Sequence, residues 1–200
     1  MNVLMKIINL TLQRNDRNIL DNISLDIHAK SFLNIHGANG SGKTSFLKVI
    51  TGISEMESGE VVNYSNNNVY VGHKYGLKTN LTVSENLMLD LQNNNGDKKN
   101  KLTEALEVYK MSKHRDTLVK HLSHGQQKRV SLMRTLLLDS DIWILDEPFS
   151  ALDDETKVIL NKTFVDANRR DKTIIITSHS AFTHDHLEVH NFLLKDGRIQ

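Results

Sequence analysis

Gly37-Ala38-Asn39-Gly40-Ser41-Gly42-Lys43-Thr44 stands between the apolar residues Phe32, Leu33 and Ile35 and a second apolar-rich run, Ser45 to Ile50. This stretch satisfies every fixed position of the phosphate-binding loop pattern, and its place between strand-like and helix-like residues gives a β-loop-α unit. Glycines let successive backbone N–H groups, here those of Gly37 to Ser45, turn toward phosphate oxygens, and the following helix offers its positive end. Lys43 is placed to reach the β- and γ-phosphates and Thr44 to hold Mg²⁺. A nucleoside triphosphate, ATP, with Mg²⁺ is the implied ligand. A plain glycine-rich turn does not account for the motifs that follow downstream.

The chain has 200 residues, with 25 basic and 24 acidic side chains and no cysteine. That length suits one domain with a lobe inserted in it. A near-neutral total excludes an argument from charge for nucleic acid or an anionic membrane surface. Without cysteine there are neither disulfides nor thiolate metal sites. No apolar run reaches the roughly 18 residues that span a bilayer, and Met1 to Asn9 lacks the shape of a signal peptide. A chain that is soluble, or peripheral through a partner, is expected.

Working outward from the loop, Val3 to Leu12 and Ile19 to Ile27 read as half-exposed antiparallel strands joined by the polar turn Gln13 to Asn18. Ser31 to Ile35 is a buried strand and Thr44 to Thr51 a helix closed by Gly52. Gly59 to Val62 and Asn68 to Val71 are short strands. From about 78 to 138 the apolar spacing is helical, for instance in Leu102, Ala105, Leu106 and Tyr109, and this segment is expected to be an inserted helical lobe. Asn93 to Asn100 reads as a mobile link within it, and Lys98, Lys99 and Lys101 as part of a solvated loop. Ser140 to Leu145 is then a strand, Asp153 to Asn168 a helix and Thr173 to Thr177 a strand. Asn191 to Leu194 with Gly197 to Ile199 reads as a closing hairpin. The expected architecture is one α/β domain over 1–200, its core formed by 1–77 and 139–200 around a mainly parallel sheet, with an antiparallel β part at the N-terminus.

Ile142-Trp143-Ile144-Leu145 ends in Asp146-Glu147, an apolar strand terminating in two carboxylates. Alone, ordinary helix or strand capping explains such a pair. In a chain that also carries Lys43, Asp146 is placed to bind Mg²⁺ through water and Glu147 to orient and help deprotonate the water that attacks a γ-phosphate. Ser123, in Leu122-Ser123-His124-Gly125-Gln126, is an N-cap candidate for the apolar helix that follows, and that helix start makes a second anion site.

On these residues the chain resembles the ATP-binding subunits of ABC transporters, whose signature is Leu-Ser-Gly-Gly-Gln; His124 stands where the signature has its first glycine. The resemblance implies a P-loop NTPase core and a head-to-tail homodimer in which Ser123, Gly125 and Gln126 of one copy close over the nucleotide held by the other. It implies that Ser150-Ala151-Leu152-Asp153 is the D-loop, and that His179 senses the γ-phosphate. The family's metal-linked glutamine falls at His73, nine residues before Thr82. Its adenine-stacking aromatic falls at or near Arg14, and a guanidinium can also stack on a base. Gly72 to Lys78, Leu81 to Leu87 and Trp143 further resemble the haem-exporter ATP-binding family of bacterial cytochrome c maturation. That likeness implies peripheral attachment to the cytoplasmic face of the inner membrane, through separate transmembrane subunits of cytochrome c maturation. An exporter ATPase with another cargo, or a nucleotide-holding regulatory module with little turnover, is the alternative. His184, His186 and His190 invite a metal or haem reading, with His186 and His190 on one helix face, but a polar surface segment is the preferred account. The segment from His73 to Leu87 is expected to dock the membrane subunit, with Tyr75, Leu77 and Leu81 exposed.

Overall fold

The computed structural model describes residues 2–73, 75–91 and 97–200. Among the described residues two sheets form. The first is antiparallel, in the order β2-β1-β4, from β1 (Val3–Arg14), β2 (Arg17–His28) and β4 (Ser58–Asn63). The second runs β5-β6-β7-β3-β8-β9, from β3 (Phe32–His36), β5 (Asn68–Val71), β6 (Ile142–Leu145), β7 (Thr173–Ser178), β8 (Val189–Lys195) and β9 (Arg198–Ile199). It is parallel from β5 through β8 and antiparallel only at the β8–β9 hairpin. The expected α/β class, the N-terminal antiparallel part and the closing hairpin are borne out.

Alternation along the central strands divides the core into two layers. Ile142, Ile144, Ile175 and Ile35 face α1 (Lys43–Ile50), whose Phe46, Leu47, Val49 and Ile50 are buried against them and against Met5, Ile7, Leu20 and Ile27 of the antiparallel sheet. Trp143, Leu145, Ile174 and Ile176 face the opposite way, onto Leu160 and Phe164 of α5 (Asp154–Arg169) and onto the helices that follow β5 in the chain. Helix α1, which follows the glycine-rich loop, is therefore held between two sheets, and each fully buried aliphatic side chain contributes about 1.5–3 kcal/mol to keeping it there.

Between β5 and β6 run α2 (Val83–Asp90), α3 (Lys98–Val108) and α4 (His124–Leu137), with short 3₁₀ turns at Ser112–His114 and Val119–His121. Thr82 and Glu85 form a capping box on α2, and Ser123 and Gln126 form another on α4. Asn86 is buried in α2 and laces the loop before it: its side-chain carbonyl accepts from Lys78 N–H at 2.7 Å, and its amide donates to the carbonyls of Lys78 at 3.0 Å and Thr82 at 2.9 Å.

Several local expectations are corrected. The turn joining β1 and β2 is not Gln13 to Asn18 but the two residues Asn15 and Asp16, both with positive φ (49° and 56°), while Arg14 pairs with Arg17. Asn and Asp tolerate that conformation, and the tight turn matches the twist of long strands. Lys98, Lys99 and Lys101 are not in a loop but open α3, where Asp97 accepts a hydrogen bond from Asn100 N–H at 3.2 Å as its N-cap. Much of the expected link from Asn93 to Asn100 lies outside the described residues. His190 belongs to β8, opposite Leu33 of β3, and His184 and His186 lie in the loop before it, so no helix face joins them. Leu77 is half-buried against the core, and Tyr75 and Leu81 are half-buried as well.

Replacing Asn86 by Ala should lower the unfolding free energy by about 2–3 kcal/mol, because a lost side-chain bond strands buried backbone groups on the 78–82 loop. Chemical denaturation of the two chains measures this.

Candidate active site

Gly42 precedes α1 with φ 103°, and a Cβ there would meet Ile19 O at 2.9 Å, so a side chain is excluded by conformation and by space. Gly37 sits under the β8–β9 hairpin, where a Cβ would come within 2.4 Å of Leu194 O. The loop between these glycines folds back so that Lys43, only 5 % exposed, donates to the carbonyls of Gly37 at 2.8 Å and Ala38 at 3.1 Å. The third side of its ammonium lies 3.8 Å from Glu147 Oε1.

Asp146 ends β6 and is 1 % exposed. Its Oδ2 accepts from Thr44 Oγ1 at 2.8 Å and its Oδ1 from Thr177 Oγ1 at 2.7 Å, which ties the strand end to α1 on one side and to β7 on the other. Burial first, and then the charge of Asp146, push the Tyr70 hydroxyl on β5 up to about 12. Thr177 Oγ1 also accepts from Glu147 N–H at 2.8 Å. Glu147 has φ 45°, a left-handed conformation that is uncommon outside glycine. Its Oε2 lies 3.5 Å from His179 Nε2. Two carboxylates, one ammonium and one imidazole thus meet at the ends of parallel strands, where open α/β sheets place their ligands.

His179 is held there by a polar lattice that the sequence reading missed. Asn34, fully buried in the middle of β3, donates to Ser180 O at 3.1 Å and to Asn191 Oδ1 at 2.7 Å, and it accepts from Ser178 Oγ at 2.8 Å. Asn191 in turn accepts from Phe182 N–H at 2.8 Å and donates to Phe182 O at 2.9 Å. A lone Asn between Leu33 and Ile35 was the available signal, since a buried amide in an apolar strand needs partners.

A cleft of about 590 Å³ gathers Arg14, Ile19, Asn39, Gly40, Gly42, Lys43, Thr44, Ser45, His73, Asp146, Glu147 and His179. Among the described residues, Ile19 lines the cleft without having been anticipated. Ala38 and Ser41 line a neighbouring pocket under the hairpin instead. Ser123, Gly125 and Gln126 lie outside the cleft, at the start of α4, where Gln126 Nε2 is 3.1 Å from His114 Nε2. Thr44 and Asp146 form a hard oxygen pair of the kind Mg²⁺ selects, so the residues fit that ion.

Behind the site, Lys128 of α4 is 2 % exposed. Its ammonium donates to the main-chain carbonyls of Asp146 at 3.3 Å and Glu147 at 3.2 Å and lies 5.6 Å from the centre of the Tyr75 ring. Burial lowers its pKa to about 8, with Asp146 and Glu147 pulling it back up. Arg134, two turns further along, pairs with Asp90 of α2 at 2.7 Å and donates to the carbonyls of Tyr75 at 2.9 Å and Gly76 at 3.1 Å.

With this geometry in view, the chain's likeness to known proteins has a physical content. A family model described as ABC transporter matches residues 20–150, which run from β2 through the phosphate loop, the helices and the paired carboxylates. The chain belongs to the ABC transporter family and is an ATP-hydrolysing subunit of that class. Among its relatives is the cytochrome c biogenesis ATP-binding export protein CcmA of Vibrio cholerae, 32 % identical over 98 % of this chain and 100 % of the relative. The protein of that name from Escherichia coli K12 is 34 % identical over 85 % of this chain and 86 % of its own. In fold, the chain superposes on the ATP-binding subunit of an ABC transporter with a TM-score of 0.89 at 21 % identity, over 98 % of this chain and 88 % of the other. It also superposes on the dimeric, ADP- and phosphate-bound post-hydrolysis state of an ATP-binding cassette (TM-score 0.86, 24 % identity, 98 % and 96 % covered).

Asn34→Leu keeps the volume of β3 but releases Ser178, Ser180 and Asn191. ATP turnover should fall about tenfold while ATP affinity holds within about twofold, because the phosphate loop is untouched and only the His179 segment loosens. Steady-state kinetics with a parallel ATP titration measures both.

Proposed function

We propose that this chain is the ATPase engine of a membrane complex for cytochrome c biogenesis that exports or delivers haem. The observation that carries the ATPase half is the convergence of Lys43, Glu147 and His179 within 4 Å contacts beside the Thr44–Asp146 pair. The biogenesis half rests on relatives of that name matched over nearly the whole chain.

In this reading the backbone N–H groups of Gly40 and of Gly42 to Ser45 and the Lys43 ammonium bind the phosphates of ATP, while Gly37 N–H donates to Ser178 O at 3.3 Å and Ser41 N–H to Ala38 O at 3.2 Å, and Arg14 and Ile19 sit where the base would rest. Thr44 and Asp146 would hold Mg²⁺, with His73 at the cleft wall nearby. When bound, that ion neutralises charge on the β- and γ-phosphates. Glu147 orients a water and accepts its proton as the water oxygen bonds to the γ-phosphorus and the bond to the β-phosphate oxygen breaks. His179 donates to the γ-phosphate and so links the state of the nucleotide to the Asn34 lattice. Ser123, Gly125 and Gln126 lie outside their own chain's cleft, which supports their serving a second copy's nucleotide in a head-to-tail dimer.

No helix among the described residues is long and apolar enough to cross a membrane, and in this reading transmembrane subunits of cytochrome c biogenesis supply that part of the complex. Peripheral placement on the cytoplasmic face of the bacterial inner membrane follows in this reading. Leu81, Glu85, Met88, Leu89 and Lys98 line a groove that runs along α2 to the start of α3, and we assign the membrane-subunit contact to it. Arg134 then links this groove to the segment after His73, since it pairs with Asp90 of α2 and donates to the carbonyls of Tyr75 and Gly76. An exporter of another cargo fits the same site equally well, and it is the identity of the membrane subunits that separates the two.

Lys43→Ala should weaken ATP binding at least about tenfold, by removing the buried cation held within the loop; a fluorescent-nucleotide titration reads this. Glu147→Gln should bind ATP with near-normal affinity, hydrolyse it at least about a hundredfold more slowly and accumulate as a dimer in size-exclusion chromatography with ATP and Mg²⁺. A monomeric Glu147→Gln chain under those conditions contradicts the shared site. Met88→Glu should release the chain from membranes and leave ATP binding intact. If co-purifying membrane subunits are not those of cytochrome c biogenesis, the cargo assignment fails and the ATPase assignment stands.

A further inference from the structure

Successive carbonyls along a strand point in opposite directions. At the end of β6 those of Asp146 and Glu147 instead converge on one atom, the Lys128 ammonium, at 3.3 and 3.2 Å. They do so because the backbone turns at Glu147 into the left-handed region, φ 45°, which strains a non-glycine residue. The same turn brings the Glu147 carboxylate between Lys43 and His179. One ammonium that is 2 % exposed thus accompanies a strained backbone and the placement of the water-orienting group. The lysine needs these acceptors as much as they need it, since a buried charge is stable only with hydrogen-bond partners. Its remaining side meets the face of Tyr75, the residue whose carbonyl Arg134 holds.

We propose that Lys128 is a positioning residue for hydrolysis, which fixes the turned backbone at Glu147 from the signature helix α4 and so sets where that carboxylate stands. The inference rests on the role given to Glu147 above and adds that this role is controlled from α4. The helix that begins with Ser123, Gly125 and Gln126 therefore also bears on its own chain's cleft. Lys128 does not line that cleft, and it touches the site only through the main-chain carbonyls of Asp146 and Glu147, the backbone turn that carries the Glu147 carboxylate.

The test is steady-state ATPase kinetics on the full chain with Mg-ATP, alongside fluorescent-nucleotide affinity and thermal melting. Lys128→Met keeps the buried stem and removes the donor. It should lower kcat about tenfold or more, with KM and nucleotide affinity within about twofold. Lys128→Arg keeps charge and donors and should return kcat to within about threefold of the original. If Lys128→Met does not fold, Lys128→Gln takes its place in the same comparison with Arg. The inference is overturned if the neutral variant keeps the original kcat, or if the neutral and Arg variants lose kcat equally. Glu147→Gln is measured in parallel. Should it hydrolyse ATP at the original rate, the role of Glu147 itself fails; should it be slow while Lys128→Met is not, only the present inference falls.

Discussion

The buried carboxylate of Asp146 is the constraint on which the site depends. A charge 1 % exposed is tolerated only when its oxygens are satisfied, and here each accepts a hydroxyl, one from Thr44 and one from Thr177. Those two hydroxyls belong to α1 and β7, so the same bonds that make the charge affordable align the phosphate loop with the strand that leads to His179. Thr177 then uses its oxygen to hold Glu147 N–H, and the backbone turns there. The nucleotide site is consequently a continuation of the core: the apolar layers on both faces of the central sheet bring three strand ends level, and the polar atoms at those ends bond to one another and to Lys128 of α4 or face the cleft.

Much of this was legible in the chain alone, for a physical reason. The phosphate loop and the strand ending in Asp146-Glu147 are local patterns, in which the function of each residue depends on neighbours within a few positions. The antiparallel start, the buried parallel strands and the closing hairpin were likewise visible as alternating or continuous apolar runs. Turn and cap chemistry was harder. Asn15-Asp16 looked like part of a broad polar turn because side-chain polarity does not reveal that both residues take positive φ. Lys98 to Lys101 looked like a loop because charge masked the cap that Asp97 provides. His186 and His190 had helical spacing, yet the pairing of β8 with β3 overrode it.

What could not be read was whatever depends on partners far along the chain. Asn34 meets Asn191 across 157 positions, and the Lys128 ammonium meets carbonyls 18 and 19 residues ahead. Lys128 sits in a run, Gln126-Gln127-Lys128-Arg129, that reads as a polar helix surface, and burial alone distinguishes it from its neighbours. The half-burial of Leu77 is of the same kind, since an apolar residue in a loop carries no period from which its environment can be inferred.

The position of β3 also dictates when the phosphate loop comes into being. That strand is bonded on one side to β7 and on the other to β8, both made more than 130 residues after it, and the loop's first glycine lies against Leu194 O. A ribosome adding residues from the N-terminus releases the loop sequence early and its supports late. The antiparallel sheet and α1 can collapse in the meantime, since β1, β2 and β4 are near in sequence. The cradle for nucleotide phosphates closes only when β8 has been laid beside β3.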